Sequence, residues 1–232
     1  MAEYLVWSLT ANLGAMGELA GNEYRPTMRY PGKSALIGMM GAALGIARSD
    51  EEGQEKLRSL EVAVAIFNDG TPMRDFHTVQ TVNRKSKHSP ITRADALSNA
   101  GSHLETMITH RDYRQNVHYG IAVWNGDLEA IRDAIENPVY PIYLGRKSCS
   151  LSSPADPQIV SCDTLEDAFQ TLKNPPWMTE PAVAREMVTD ASLGLEGSQE
   201  WRNDIPLSRT RWEFANRQVT VSPIHIELEM PA

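Results

Sequence analysis

Cysteine is nearly missing from this chain. Cys149 and Cys162 are the two it has, and they match no zinc-ligand spacing. They read as reduced thiols, with no metal or redox role. Long apolar runs are missing as well. The longest, residues 35–46, is about two-thirds of the ~18 residues that a bilayer crossing needs, and it is full of glycine. Met1-Ala2-Glu3-Tyr4 lacks a basic stretch followed by an apolar one, so no secretory signal is expected. The expectation is a cytoplasmic protein with no membrane partner. Positive charge is in deficit. Lys and Arg total 22 against 30 Asp and Glu, for a formal net charge of -8. That excludes a protein that coats nucleic acid by bulk charge. A local basic groove is still allowed, because salt limits electrostatic reach to about 8–10 Å. No carboxylate cluster, Cys–His pair or metal-ligand set is evident, so neither a cofactor nor a metal is expected.

What is present is an ordinary globular composition, 41% hydrophobic and 22% charged over 232 residues. The chain reads as a single domain over 1–232. Residues 5–9 have strand character. Gly14, Gly17 and Gly21 then punctuate a loop that Pro31 and Gly32 close. Residues 33–47 read as a helix in which Gly38, Gly41, Ala42 and Gly45 predict a very close neighbour, a sheet. Residues 49–59 are polar and charged. Residues 62–67 and 119–124 read as strands. Residues 127–136 read as a helix, with Leu128, Ile131 and Ile135 on one face. Residues 140–144 read as a short strand and 219–228 as a final one. Residues 79–111 are polar and too long for a plain connection. Residues 175–204, rich in Pro, Gly and acid, read as an irregular acidic loop region. The order strand, helix, strand, insertion, strand, helix, strand is that of an α+β, ferredoxin-like βαββαβ domain. A protruding hairpin insertion and an irregular C-terminal region ending in a strand complete the reading.

Four segments carry chemistry. Gly32-Lys33-Ser34 has the end of a phosphate-binding P-loop, but Thr27 stands where its first glycine belongs and Pro31 precedes Gly32. Nucleotide binding is therefore not expected. Arg25, Arg29 and Lys33 remain, four residues apart, before a helix start whose free N–H groups suit an anion. They are either phosphate contacts or a solvated basic loop. Arg84, Lys85, Lys87 and Arg93, with His88, form a second basic run with no acid, either a nucleic-acid contact or a solvated tip. Asp75 and His77 are close in sequence, which alone implies no catalytic pairing. Gly145-Arg146-Lys147 ends a strand with a glycine and two cations.

Together these segments resemble the CasD subunits of type I-E CRISPR surveillance complexes (Cascade). The stretches that carry the resemblance are Arg25-Pro-Thr-Met-Arg-Tyr-Pro-Gly-Lys-Ser34, Arg74-Asp-Phe-His-Thr-Val79, Arg111-Asp-Tyr113, Tyr143-Leu-Gly-Arg-Lys-Ser-Cys149 and Asp204-Ile-Pro-Leu207 with Phe214-Ala-Asn-Arg-Gln-Val219. They run in the family's order. The glycine loop departs from it: Gly14 and Met16 stand where relatives have Gln and Trp. The resemblance implies an RRM-like domain of the repeat-associated mysterious protein (RAMP) type, with a thumb-like hairpin at 79–111. It implies a non-catalytic subunit that holds the 5′ handle of crRNA. Its implied partners are a CasC-type backbone subunit, a large subunit that senses the protospacer-adjacent motif, and target DNA in the assembled complex. On this reading Arg25, Arg29, Lys33, Arg111, Arg146 and Lys147 neutralise handle phosphates, with the amides at Ser34. Tyr30, His77 and Tyr113 stack on bases. Arg84, Lys85, Lys87, His88 and Arg93 serve the thumb. The alternative is a metal-independent endoribonuclease that processes repeat RNA with Tyr30, Lys33 and His77, or with Lys87 and His88.

Overall fold

The computed structural model describes residues 1–21, 23–82 and 91–230. Its spine is a mixed but mainly antiparallel sheet. The first strand, β1 (Ala2–Gly14), is followed by the two-residue β2 (Tyr24–Arg25), α1 (Lys33–Ala43), α2 (Glu51–Arg58), β3 (Glu61–Asn68) and β4 (Thr71–Val82). Next come α3 (Arg93–Asn99), the 21-residue β5 (Leu104–Trp124), α4 (Leu128–Glu136), β6 (Gln158–Cys162), α5 (Leu165–Gln170), β7 (Val183–Asp190), β8 (Ser198–Ser208) and β9 (Glu213–Glu227). The strand order is β6-β1-β5-β3-β7-β9-β8, with β2 and β4 paired to β5 off this path. Its β6-β1-β5-β3 half, with α1 and α4 as the crossovers, is the ferredoxin-like unit expected from the sequence.

Period-2 patterning explains the layers. Leu5, Trp7 and Leu9 of β1, with Val62 and Val64 of β3, face α1 and α4 in the larger core. Tyr4, Val6, Ala63 and Ala65 point the other way, onto α5 and Phe169. Small residues dominate that second face because α5 lies close. A Cβ on Gly120 would come within 2.8 Å of Leu172 and 3.1 Å of Phe169.

Three expectations are corrected, and one stretch left without an assignment gains a helix. Residues 140–144 form no strand, and β6 is the fourth strand of the unit. Pro141 has no ladder donor, and the amides of Val139 and Tyr140 instead donate to Ala43 and Ala42 at the end of α1. Residues 175–204 are not an irregular loop. They contain β7 and much of β8, an edge strand whose polar, Pro-containing sequence hides its strand period. The polar stretch 49–59 holds α2, capped by Asp50 accepting from the Gly53 amide. The glycines of α1 do not meet the sheet. Leu36, Ile37 and Met40 do that, while Gly41 faces Leu57 of α2 and Gly38 faces Arg209.

The N-terminus of α1 has an unusual cap. Gly32 offers no side chain, and the carboxylate of Asp204 takes its place, accepting from the Lys33 amide at 2.8 Å. The ladder between β8 and β9 slips at Asn203/Ile205, and such a bulge re-aims a side chain. Arg217 donates to both oxygens of Asp204, at 2.7 and 3.1 Å, and both side chains are buried. A Cβ on Gly32 would stand 2.7 Å from the carboxylate, so only glycine admits this approach.

Asp204→Ala leaves Arg217 buried with its main partner gone. It should cost about 3–5 kcal/mol, read as a lower urea midpoint, and a loss below ~1 kcal/mol would overturn the capping role.

His118, on β5, gives a pH prediction. It is 3% exposed, stacked on Phe67 at 4.8 Å, and neither ring nitrogen has a hydrogen-bond partner. Burial pushes it down from 6.5 to about 4. The unfolded chain therefore binds the extra proton, and stability falls as pH drops from 6.5 towards 4. The loss is on the order of 3 kcal/mol. His118→Phe should flatten that part of the profile when urea midpoints are compared at pH 7 and pH 4.5.

Candidate nucleic-acid interface

The basic turn from Arg25 to Ser34 lies against the sheet because several groups pin it there. Buried Tyr119 donates its hydroxyl proton to the Arg29 carbonyl at 2.6 Å. The Arg29 guanidinium pairs with Asp69 at 2.8 Å and Glu186 at 2.7 Å. Lys33 is half-buried among Asp190, Asp204, Glu61 and Arg217. Burial pushes its ammonium below the ordinary value and Arg217 pushes the same way. Arg25, by contrast, is exposed and has no ion pair among the described residues.

The expected roles of three groups are corrected by these contacts. The helix start at Ser34 is not a free anion site, because Asp204 occupies it and Arg209 donates to the Ser34 carbonyl at 2.6 Å. Tyr30 is 3% exposed and its hydroxyl accepts from Arg202 Nε at 2.7 Å, so it cannot stack on a base. Tyr113 is 7% exposed, and the Arg146 guanidinium lies 4.3 Å over its ring. The ring a base would need is already covered.

What the fold does bring together lies on β2, β4 and β5. β2 runs parallel to β5 with Arg25 opposite Arg111, and β4 sets Asp75 opposite Arg111 on the other side. Residues opposite one another share a face. Neither Arg25 nor Arg111 pairs with a carboxylate among the described residues, and Arg111 Nε is buried without a hydrogen-bond partner. Arg146 lies beside them, its Nη1 donating to the Asp112 carbonyl at 3.4 Å, and exposed Lys147 follows it. The 145–147 turn is fixed by Gly145, at φ +84°, where a Cβ would collide with the Ala15 carbonyl at 1.8 Å. His77 is half-exposed on β4. Its Nε2 lies 3.0 Å from Asp75 but off the hydrogen-bond direction.

The opposite face of the same ribbon carries a group that sequence reasoning missed. Arg74 forks onto Asp112 at 2.8 and 3.1 Å, and Tyr24 donates to Asp112 at 2.6 Å. Arg74 holds Asp112 below the ordinary carboxylate range. Phe76 beyond it is 65% exposed and Ile108 50%. Strand alternation could have found this face, had β4 been recognised.

β4 and β5 continue outward as a two-stranded arm, paired from Thr71 opposite Gln115 to Val82 opposite Leu104. Arg93 begins α3 and donates to the Gln80 carbonyl. The expected contacts Arg84, Lys85, Lys87 and His88 lie outside the described residues. No hydrogen bond joins Tyr30, Lys33 and His77, the set a nuclease would need. Among the described residues no group of His, Cys, Asp and Glu could hold a metal, and no helix is long and apolar enough to cross a membrane.

Comparison with solved structures gives the class. The fold matches a chain of a "CRISPR RNA-guided surveillance complex" at TM-score 0.74 and 23% identity, covering 99% of this chain and 93% of that one. A "Crystal structure of Cas protein" matches at TM-score 0.63 and 23% identity, covering 96% and 95%. The architecture is thus that of a Cas protein. More particularly, the chain belongs to the Cas5 family, whose description "CRISPR-associated protein (Cas_Cas5)" matches residues 4–220. The "CRISPR system Cascade subunit CasD" of Escherichia coli (strain K12) is 32% identical over 168 residues, 66% of this chain and 70% of that protein.

Because Arg29 is bound to two carboxylates, Arg29→Ala should lower stability by about 1 kcal/mol. It should weaken RNA binding less than Arg25→Ala, as read by thermal melting and filter binding of the same two variants.

Proposed function

We propose that this chain is a non-catalytic Cascade-type subunit that grips the 5′ handle of crRNA. Arg25 and Arg111 carry the proposal. Two cations side by side on one face repel each other, and neither forms an ion pair within the described residues, although Asp75 stands across from Arg111. In a chain of net charge -8, that pair is a local site for phosphate. Arg146 and Lys147 extend it. Arg146, lying over Tyr113, offers its guanidinium to a base in place of the covered ring, and His77 stands on the same ribbon.

Membership of the Cas5 family and likeness to CasD support partners of the same kind: crRNA, a CasC-type backbone subunit, a large subunit that senses the protospacer-adjacent motif, and target DNA in the assembled complex. Guide pairing reads the target, so this chain need recognise only the handle and the duplex shape. The β4–β5 arm is the candidate thumb, and Arg93 at its α3 side is a candidate contact. The working location is the cytoplasm. Burial of Tyr30 and capture of its hydroxyl by Arg202 count against the nuclease reading.

The double variant Arg25→Ala/Arg111→Ala should bind handle RNA at least tenfold more weakly. Its salt slope should be shallower by roughly 1.4, for two lost phosphate contacts. Unchanged anisotropy titrations across salt would sink the site. Incubation of the wild-type chain with repeat RNA in EDTA should leave the RNA intact, and discrete cleavage would restore the nuclease.

A further inference from the structure

A second cluster of cations lies away from the Arg25–Arg111 face. The segment joining α1 to α2, helix α2 itself and the turn between β8 and β9 enclose a cleft of about 300 Å³, lined by Arg48, Arg58, Arg209 and Arg211 with Glu51 as its one carboxylate. Two of these arginines have acidic partners outside the cleft, Arg58 with Glu55 and Arg211 with Glu213. The other two have none among the described residues. Arg209 is half-buried and bonded only to the carbonyl and hydroxyl oxygens of Ser34. Gly38 leaves room beneath it, its would-be Cβ 3.4 Å from Nη2. Arg48 lies 5.0 Å over the ring of Trp212. Burial lowers the pKa of Arg209, and the like charge of Arg48 lowers it further. Guanidinium still stays charged. A desolvated cation whose neighbours are cations lacks an anion.

We propose that this cleft binds a backbone phosphate of single-stranded nucleic acid, at a site separate from the Arg25–Arg111 face. Forked guanidinium donors match a phosphate's oxygens better than a point charge does. Trp212 is 56% exposed despite Arg48 over its ring, unlike the buried Tyr113, and so keeps aromatic surface against which a flanking base packs. Cations beside aromatics are the pattern of sequence-tolerant strand binding. An acidic peptide would satisfy the charge but would not use the indole.

The test uses the whole chain and the variant Arg48→Ala/Arg211→Ala, whose side chains are exposed and whose fold is checked by thermal melting. The probes are an oligouridylate RNA and a poly-glutamate peptide, each titrated across salt. The proposal expects the variant to lose at least fivefold in RNA affinity, with a slope shallower by about 0.7 for the one phosphate. The loss should add to that of Arg25→Ala/Arg111→Ala. Trp212→Leu should weaken RNA binding alone. An unchanged RNA titration for Arg48→Ala/Arg211→Ala overturns the proposal. So does a result in which poly-glutamate, and not RNA, depends on the cleft. Loss of RNA binding only in Arg25→Ala/Arg111→Ala would leave the first site standing and remove this one. The reverse pattern would keep this site and remove the first.

Discussion

The arrangement of the site depends on one internal ion pair. Asp204 and Arg217 are buried together, and Oδ2 of that carboxylate, shared with Arg217, closes the N-terminus of α1. Arg217 also reaches Asp190 at 3.5 Å. One cluster therefore joins β7, β8 and β9 to the helix of the ferredoxin-like half. A helix start is a natural anion site, and here the protein supplies the anion itself. With that end occupied, the basic turn lies flat against the sheet and any ligand must meet it elsewhere. Buried pairs of this kind are weak sources of net stability but costly to break. Their effect here is positional: they fix where α1 begins relative to two distant strands.

Much of the fold is legible in the sequence. The alternation in residues 62–67 and the 3.6-residue spacing of Leu128, Ile131 and Ile135 identify their elements, and the βαββαβ order follows. The failures have physical causes. Residues 140–144 are apolar enough for a strand, yet Pro141 and the left-handed Gly145 leave them as a connection. β8 is an edge strand, so its outward row is polar and its pattern resembles a loop. The site was legible as residue types and illegible as partnerships. Arg29 and Lys33 have the spacing of phosphate ligands, but the acids on the Arg29 guanidinium lie 40 and 157 positions away, and the carboxylate on the Lys33 amide lies 171 away. Nothing local records that Tyr30 and Tyr113 are spent inside. Arg25 and Arg111 survive because no such partner exists for them among the described residues.

This division clarifies how an acidic chain can hold an anionic ligand. Several arginines are neutralised where they stand, at Asp69, Glu186, Asp112, Glu55, Glu200 or Asp133. Total charge is therefore a poor guide. What distinguishes a contact surface is a group of cations that lack an ion pair, and two such groups, Arg25 with Arg111 and Arg48 with Arg209, lie towards opposite ends of the β5-to-β8 order.

β5 belongs at once to the core sheet and to the arm. Its inner half pairs with β1 and β3, its outer half with β4. The strand crosses between them at Asn116, in the left-handed region at φ 59°. Beyond that point alternation sets Asp75, His77 and Arg111 in one row of the arm and Arg74, Phe76 and Ile108 in the row on its opposite face. Its length is thus a coding variable with parity. Two residues added to each strand extend the reach and keep both rows in place, whereas one added residue exchanges them. Descendants of such a protein can adjust their span only in even steps, and each step is a matter of counting rather than of new chemistry.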